Sequence, residues 1–312
     1  MQTKGLPRVS VVIPVFNCER YIAETIDSVL AQRNVSIQLI VVNDGSTDGT
    51  NSVVRQAFDR YQGRDVTLVS GENRGICAAL NEGLRIADGE FFAYLGADDI
   101  WHPEKCALQV QELKNSGREA VYSDCFVIDA VGTPLYLYSS VFPFRGGNIY
   151  EDLLWARFRP PSPTHLLTAA IVRAIGGFDE TQLAEDLDMW LRIAKDHEVG
   201  YIPKPLASYR THVANMSKDL ETLHKYTIQA LDSAVRRDPA IAPLRSKLRA
   251  ELDSGRAASH LEALEMDAAR HYALRALKRR PTSVKALRTL ALSCLGKTVV
   301  RRARSITRRV RG

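Results

Sequence analysis

Along the first hundred residues the apolar positions switch between two periods. RVSVVIPV (8–15), IQLIVVN (37–43), DVTLVS (65–70) and EFFAYL (90–95) are short runs rich in β-branched or aromatic residues, as expected of strands buried on both faces. Between them the spacing becomes helical. Ile22, Ile26, Val29 and Leu30 share one face of a segment that Asn17 can cap, and TNSVVRQAFDRY (50–61) continues the pattern. Ile76, Leu80, Leu84 and Ala87 line a third helix, and Pro103 opens a fourth at its favoured first-turn position. Strands alternating with helices in this way predict an α/β fold, a mostly parallel Rossmann-like sheet flanked by helices. Such sheets bind ligands beyond the carboxyl ends of their strands. Polar residues gather at those ends: Phe16-Asn17, Asp44-Gly45-Ser46 and Asp98-Asp99.

The pattern loosens after residue 120. AVYSDCFVIDAVGTPLYLY reads as a hairpin turning at Gly-Thr-Pro, and FPFRGGN and RPPSPTH as loops. EDLDMWLRIAKDH is helical, with Leu187, Trp190, Leu191 and Ala194 on one stripe, and YIPKPLASYRTH reads as short extended segments. Beyond about residue 216 the periodicity is helical throughout. Residues 257–292 resemble one tetratricopeptide-like helical pair, and a solenoid needs about three. This divides the chain into a domain over 1–215, with halves at about 8–117 and 118–215, and an all-helical extension over 216–312.

Composition changes the picture in one respect. The net charge is +6, but residues 297–312 hold seven basic side chains and no acid, so the rest of the chain nets −1. The basicity belongs to a tail, which argues against a nucleic-acid-binding body. Val299, Val300, Ala303, Ile306 and Val310 fall on one side of that tail and the arginines on the other. This predicts a helix lying on an anionic membrane surface, or alternatively a frayed basic terminus. No run approaches the roughly 18 apolar residues of a membrane-spanning helix, and MQTKGLPR is no secretory signal. Five scattered cysteines without a CxxC pair read as reduced thiols. The expected location is cytoplasmic, peripheral on the inner membrane face if the tail binds lipid.

Candidate chemistry sits at the strand ends. DGSTDGT lacks the GxGxxG of dinucleotide binders and the GxxxxGK of phosphate loops, so hydride transfer and ATP hydrolysis lose support. Asp44 suits hydrogen bonds from a base or ribose, or closes an Asx turn. Asp98 and Asp99 offer hard oxygens for Mg²⁺ or Mn²⁺ beside substrate phosphates, or form a capping cluster before Pro103. Glu185-Asp186 opens a helix whose positive end keeps a carboxylate ionised, as a general base requires, although acids favour any first turn. His212 could hold phosphate or metal, or satisfy a local hydrogen bond, and Arg74 could meet phosphate or solvent.

Taken singly these signals are weak, but their order is specific. The series VSVVIPVFNCERYIAETIDSVLAQ, VVNDGSTDGT, NRGICAALNEGLRIADGEFFAYLGADDIWHPEKC, GGFDE, AEDLDMWLRIA and YRTH resembles glycosyltransferase family 2 over roughly residues 8–215. The resemblance implies a GT-A fold, a nucleotide-sugar donor with uridine the favoured base, a divalent cation (Mn²⁺ or Mg²⁺) and inversion at the anomeric carbon. It implies that Asp44 binds the base, that Pro14, Phe16 and Asn17 line the nucleoside, and that Arg74 lies near it. Asp98 and Asp99 match the last two acids of the family's metal motif, with Asp98 also placed for the ribose and His212 a further ligand candidate. Asp186 matches the catalytic base. The acceptor implied is a cell-surface glycan or a lipid-linked precursor, with Trp155, Phe158 and Arg159 lining its cleft or packing as core. One departure stands out: many relatives read LDADD or LDSDD, whereas the first acid here is Gly96. Two other readings compete. A sugar-1-phosphate nucleotidylyltransferase would need a Gly-rich basic loop after the first strand, which FNCERY is not. A degenerate, membrane-docked adaptor draws its support from Gly96 alone.

Overall fold

A computed structural model describes residues 5–213, 215, 219–295 and 297. The amphipathic tail expected over 297–312 lies, Lys297 apart, outside the described residues. The chain falls into two compact units, Met1–Leu153 with Arg157–Asp219, and Leu154–Ala156 with Leu220–Gly312.

The elements run β1 (Arg8–Val15), α1 (Ile22–Leu30), β2 (Ser36–Asp44), α2 (Thr50–Asp59), β3 (Asp65–Gly71), α3 (Ile76–Ile86), β4 (Phe91–Tyr94), β5 (Ile100–Trp101) and α4 (Lys105–Ser116). They continue through β6 (Ala120–Ile128), β7 (Pro134–Leu137), α5 (Tyr150–Leu154), β8 (Leu166–Thr168), α6 (Ala169–Ala174), α7 (Glu185–Asp196) and β9 (Gly200–Arg210). Among the described residues they build one nine-stranded sheet in the order β3-β2-β1-β4-β8-β6-β9-β5, with β7 paired to β6. The first four strands are parallel, and β8 joins β4 and β6 antiparallel. This is the expected arrangement of a mostly parallel sheet flanked by helices.

The core explains the continuous apolar runs. β1 and β2 are buried along nearly their whole length, and Val9, Val11, Ile13, Leu39 and Val41 pack with Ile22, Ile26 and Val29 of α1. On α3, a Cβ at Gly83 would come within 2.4 Å of Val12 Cγ1, so only glycine lets this helix lie so close to the sheet.

Where short extended segments were expected over 201–212, β9 is a single eleven-residue strand, parallel to β6. Its register slips between Ser123↔Ile202 and Asp124↔Pro205. Pro203 and Pro205 lack the N–H a regular ladder needs, so the sequence breaks the pattern while the strand continues past the bulge.

The second unit carries α8 (Leu220–Arg237), α9 (Arg245–Glu262), α10 (Met266–Arg279) and α11 (Val284–Cys294). The fully buried Asp253 is matched by Arg279 at 2.5 Å, His224 at 3.0 Å and Arg275 at 3.4 Å. A buried carboxylate requires such partners.

Candidate active site

The carboxyl ends of β1 and β2 are laced together by side chain to backbone bonds. Gly45 has φ +75°, and a Cβ there would meet Asn73 N at 2.7 Å, so the turn after β2 presses directly on the loop after β3. Asp44, 8% exposed, accepts from the N–H groups of Arg74 and Gly75, both at 2.8 Å. It thereby fixes the entry to α3. Asn17, in the left-handed region at φ 50°, accepts from Thr47 N at 2.8 Å, and its own N–H donates to Ser46 Oγ at 3.0 Å. Phe16, beside this lacing, is 49% exposed, and Pro14 lies within β1 opposite Val42. The side chain of Asn17 thus joins two loops, leaving Phe16 as the apolar surface at this end of the sheet. Arg74 reaches Glu180 at 3.3 Å.

β4 ends at Tyr94, and the turn that follows carries the acidic pair. Asp99 is 2% exposed, and its Oδ1 accepts from Arg210 N at 2.8 Å. Burial, with Asp98 alongside, drives the Asp99 carboxyl well above the usual carboxylate range, while Arg210 opposes the rise. Thr25 Oγ1 donates to the main-chain oxygens of Ala97 and Asp99, both at 2.9 Å. Asp98 Oδ2 meets His212 Nε2 at 2.8 Å and Asn215 Nδ2 at 3.3 Å. Asp98 and His212, 114 positions apart, are therefore brought together with Asp99 as the end of β9 runs beside the β4 turn.

A Cβ built on Gly96 would lie 3.0 Å from Asp99 Oδ2 and 3.1 Å from Asp98 Oδ1. Two carboxylate oxygens thus converge over one small patch of backbone, where a third acid would crowd them. Among the described residues no group of three His, Cys, Asp or Glu side chains is disposed to hold an ion. Two converging hard oxygens fit a Mg²⁺ or Mn²⁺ ion whose other ligands come from substrate phosphates and water.

Asp186 belongs to a neighbouring group at the start of α7. Its Oδ1 accepts from Leu187 N at 2.6 Å. Burial, and next the charge of Asp186, push the adjacent Glu185 up to about 8, with Arg159 acting against the shift. Tyr94 is fully buried and its hydroxyl is held well above its ordinary value by burial, then by Glu185 and Asp186. The last residue of β4 therefore links the two groups: its side chain is within electrostatic reach of the α7 carboxylates, and its chain continues into Asp98-Asp99. Phe158, a candidate for the acceptor cleft, is core, packed against Phe144 and Tyr122.

Several residues that shape the site lie within the quoted motifs but are not singled out by the sequence. Arg210, 2% exposed, donates to Asp98 O at 2.8 Å and Glu24 Oε2 at 2.6 Å. Asn81 of α3 clamps Phe178 in the loop ahead of α7. Lys105, fully buried and lowered to about 8 by that burial, donates to His165 O at 2.9 Å, while Trp101 and Gln109 hold Pro163 O and Thr164 O. An i,i+3/i+4 search could find Lys105 and Gln109 on one helix face, but nothing local marks them as buried.

Residues 10–173, just over half the chain, match the family model described as glycosyl transferase family 2. The chain belongs to glycosyltransferase family 2. An uncharacterized glycosyltransferase of Rickettsia typhi is 31% identical over 236 residues, spanning 70% of this chain and 69% of the relative. Among solved structures, the family 2 transferase is similar to the mannosyltransferase PcManGT of Pyrobaculum calidifontis, solved with GDP-Man and Mn²⁺. The TM-score is 0.62 at 22% identity, over 94% of this chain and 81% of that one. It is also similar to residues 1–349 of S. aureus TarS in complex with UDP-GlcNAc, with TM-score 0.58 at 15% identity, over 88% and 92% of the two chains. At these identities the likeness establishes the fold.

Proposed function

We propose that this family 2 glycosyltransferase is an inverting, cation-dependent enzyme. It would move a sugar from a nucleoside diphosphate carrier, uridine diphosphate foremost, to a hydroxyl of a cell-surface glycan or lipid-linked precursor. The observation that carries the reading is the convergence of Asp98 Oδ1 and Asp99 Oδ2 over Gly96 at the end of β4. Carboxylates cluster at such cost when a cation and an anionic substrate share the place. PcManGT, solved with GDP-Man and Mn²⁺, supports a donor and cation of these classes.

Asp98 and Asp99 would hold the cation, with His212 beside them. Bound there, the cation supplies Lewis-acid neutralisation of the diphosphate. Asp44, Phe16 and Pro14 face the nucleoside, and Arg74 stands at the same edge. Asp186 takes the proton from the acceptor hydroxyl. That oxygen bonds to the anomeric carbon as the bond from carbon to diphosphate oxygen breaks, and the electron pair leaves on the nucleoside diphosphate. One displacement inverts the centre and needs no covalent enzyme intermediate.

Among the described residues no helix is long and apolar enough to cross a membrane. The proposed route to a lipid-linked acceptor is the basic tail, residues 297–312, lying on an anionic surface. Sedimentation with phosphatidylglycerol vesicles tests this part: equal binding with and without the tail would refute it. The decisive assay for the activity itself is hydrolysis and transfer from a panel of UDP-, GDP- and TDP-sugars with and without Mn²⁺. One donor turned over only with the cation is the expected result, and inactivity on the whole panel would overturn the reading.

A further inference from the structure

Two adjacent carboxylates, one half-buried and one fully buried, need a counter-charge and a rigid frame before any ligand arrives. We propose that Arg210 is a positioning residue for the donor site, acting together with Tyr21 to hold the Asp98–Asp99 turn and His212 in register. This inference rests on the donor-site reading above.

Arg210 binds that turn and ties it to two neighbouring elements. Its main-chain N–H donates to Asp99 Oδ1 at 2.8 Å, and its Nε to the Asp98 carbonyl at 2.8 Å. Nη2 reaches Glu24 on α1 at 2.6 Å, and Nη1 reaches Ala130 O in the β6–β7 turn at 3.4 Å. One buried guanidinium therefore ties α1, the β4 turn and the β6–β7 hairpin to the end of β9. The two side-chain carboxylates of the turn keep Oδ1 of Asp98 and Oδ2 of Asp99 facing Gly96.

Tyr21 completes the frame. The Arg210 guanidinium lies 5.0 Å from the centre of its ring, and the His212 imidazole stacks on the same ring at 4.9 Å with planes 27° apart. Arg210 and His212 are two positions apart at the end of β9, so a single aromatic platform at the start of α1 sets both. The stack aims His212 Nε2 at Asp98 Oδ2, 2.8 Å away. Asn215 closes the loop by donating to Arg210 O at 3.0 Å and Asp98 Oδ2 at 3.3 Å.

A lysine at 210 would keep the charge but lose the fork that spans Asp98 O and Glu24. Shortening Tyr21 would free the imidazole while leaving every acid in place. The test is Mn²⁺ titration of the full chain in the presence of UDP, followed by the free-ion electron paramagnetic resonance signal, with donor KM and thermal melts alongside. Arg210→Lys and Tyr21→Ala are expected to weaken Mn²⁺ binding about tenfold and to raise donor KM while the protein stays folded at assay temperature. Tyr21→Phe, which keeps the platform, restores the cation affinity lost in Tyr21→Ala. A merely structural role would lower the melting temperature without moving cation affinity well below it. Folded variants that bind Mn²⁺ within about twofold of wild type would overturn the proposal, and if Arg210→Lys does not fold, Tyr21→Ala decides alone. Failure of the wild type to bind Mn²⁺ or UDP in the same titration would instead remove the donor-site reading, and this inference with it.

Discussion

Asn81 and Phe178 exchange two hydrogen bonds: the Asn81 amide donates to the Phe178 carbonyl at 2.8 Å, and its Oδ1 accepts from the Phe178 N–H at 2.9 Å. The same amide reaches Glu180 at 3.1 Å, and Cys77 donates to Gln182 O at 3.2 Å. Helix α3 thus holds the GGFDE loop like a strand partner, and that loop sets where α7 and Asp186 begin. Asn81→Ala leaves a backbone donor and acceptor of Phe178 without their partner. We expect a loss of about 1–3 kcal/mol, read by urea denaturation, and a fall in kcat with UDP affinity little changed. Unchanged kcat in a destabilised variant would show that α7 is fixed by other contacts.

The Glu185 carboxyl gives the site a pH signature. Its value rises from the ordinary 4.5 to about 8 in the folded chain, through burial first and Asp186 second. The folded state therefore holds a proton that the unfolded chain gives up. This contribution is fully present below pH 4.5, is lost as pH rises, and is exhausted above about 8. Glu185→Gln, neutral at every pH, removes the dependence. The melting temperature of the variant relative to wild type should climb between pH 5 and pH 9, by several degrees on the usual scale for a chain of this size. A flat difference across that window would mean that Glu185 is ionised in the folded protein.

How far the sequence carries this picture depends on which forces act locally. β1 and β2 are legible because strands buried on both faces must be apolar along their whole length, and Asp44 and Asp98 stand out as charges at the ends of such runs. β5 and β8 are not legible. Ile100–Trp101 is a strand only because Ser208 and Ala207 lie beside it, and Leu166–Thr168 only because β4 and β6 flank it. The same holds within the site. The acids announce themselves by type and position, whereas Arg210, although it lies in the YRTH motif, bears no local sign of its burial. Its burial is created by Asp98, 112 positions earlier, and by Glu24, 186 positions earlier. Lys105 is a further case, an ordinary helix-surface lysine by type that is fully buried against Trp101 and His165.

Gly96 occupies the place where a third acid would crowd the pair, its added Cβ falling 3.0 Å from Asp99 Oδ2 and 3.1 Å from Asp98 Oδ1. Two unit charges 4 Å apart cost about 4 kcal/mol at an effective dielectric of 20, and proton uptake by one carboxyl relieves part of that. Gly96→Asp is therefore expected to destabilise the cation-free protein by roughly 1–3 kcal/mol. Mn²⁺ should raise its melting temperature more than it raises that of wild type, because the ion offsets a larger repulsion. Equal Mn²⁺ shifts in the two proteins would place the cation away from this turn.

Asp186 is the residue to which the proposed mechanism assigns chemistry as opposed to binding. It sits in the first turn of α7, and Leu187 N donates to its Oδ1 at 2.6 Å. One oxygen is thereby oriented by the backbone. Asp186→Asn keeps the size and the orienting bond but cannot accept a proton. Transfer should fall by about 10²–10⁴-fold, the range a general base contributes. UDP binding, measured by calorimetry with Mn²⁺ present, should stay close to wild type, because the proposed nucleoside contacts lie at the ends of β1 and β2. Near-normal turnover in Asp186→Asn would shift the base to another group, with Glu185 the first to test. Lost UDP binding would mean that Asp186 serves the donor as well as the acceptor.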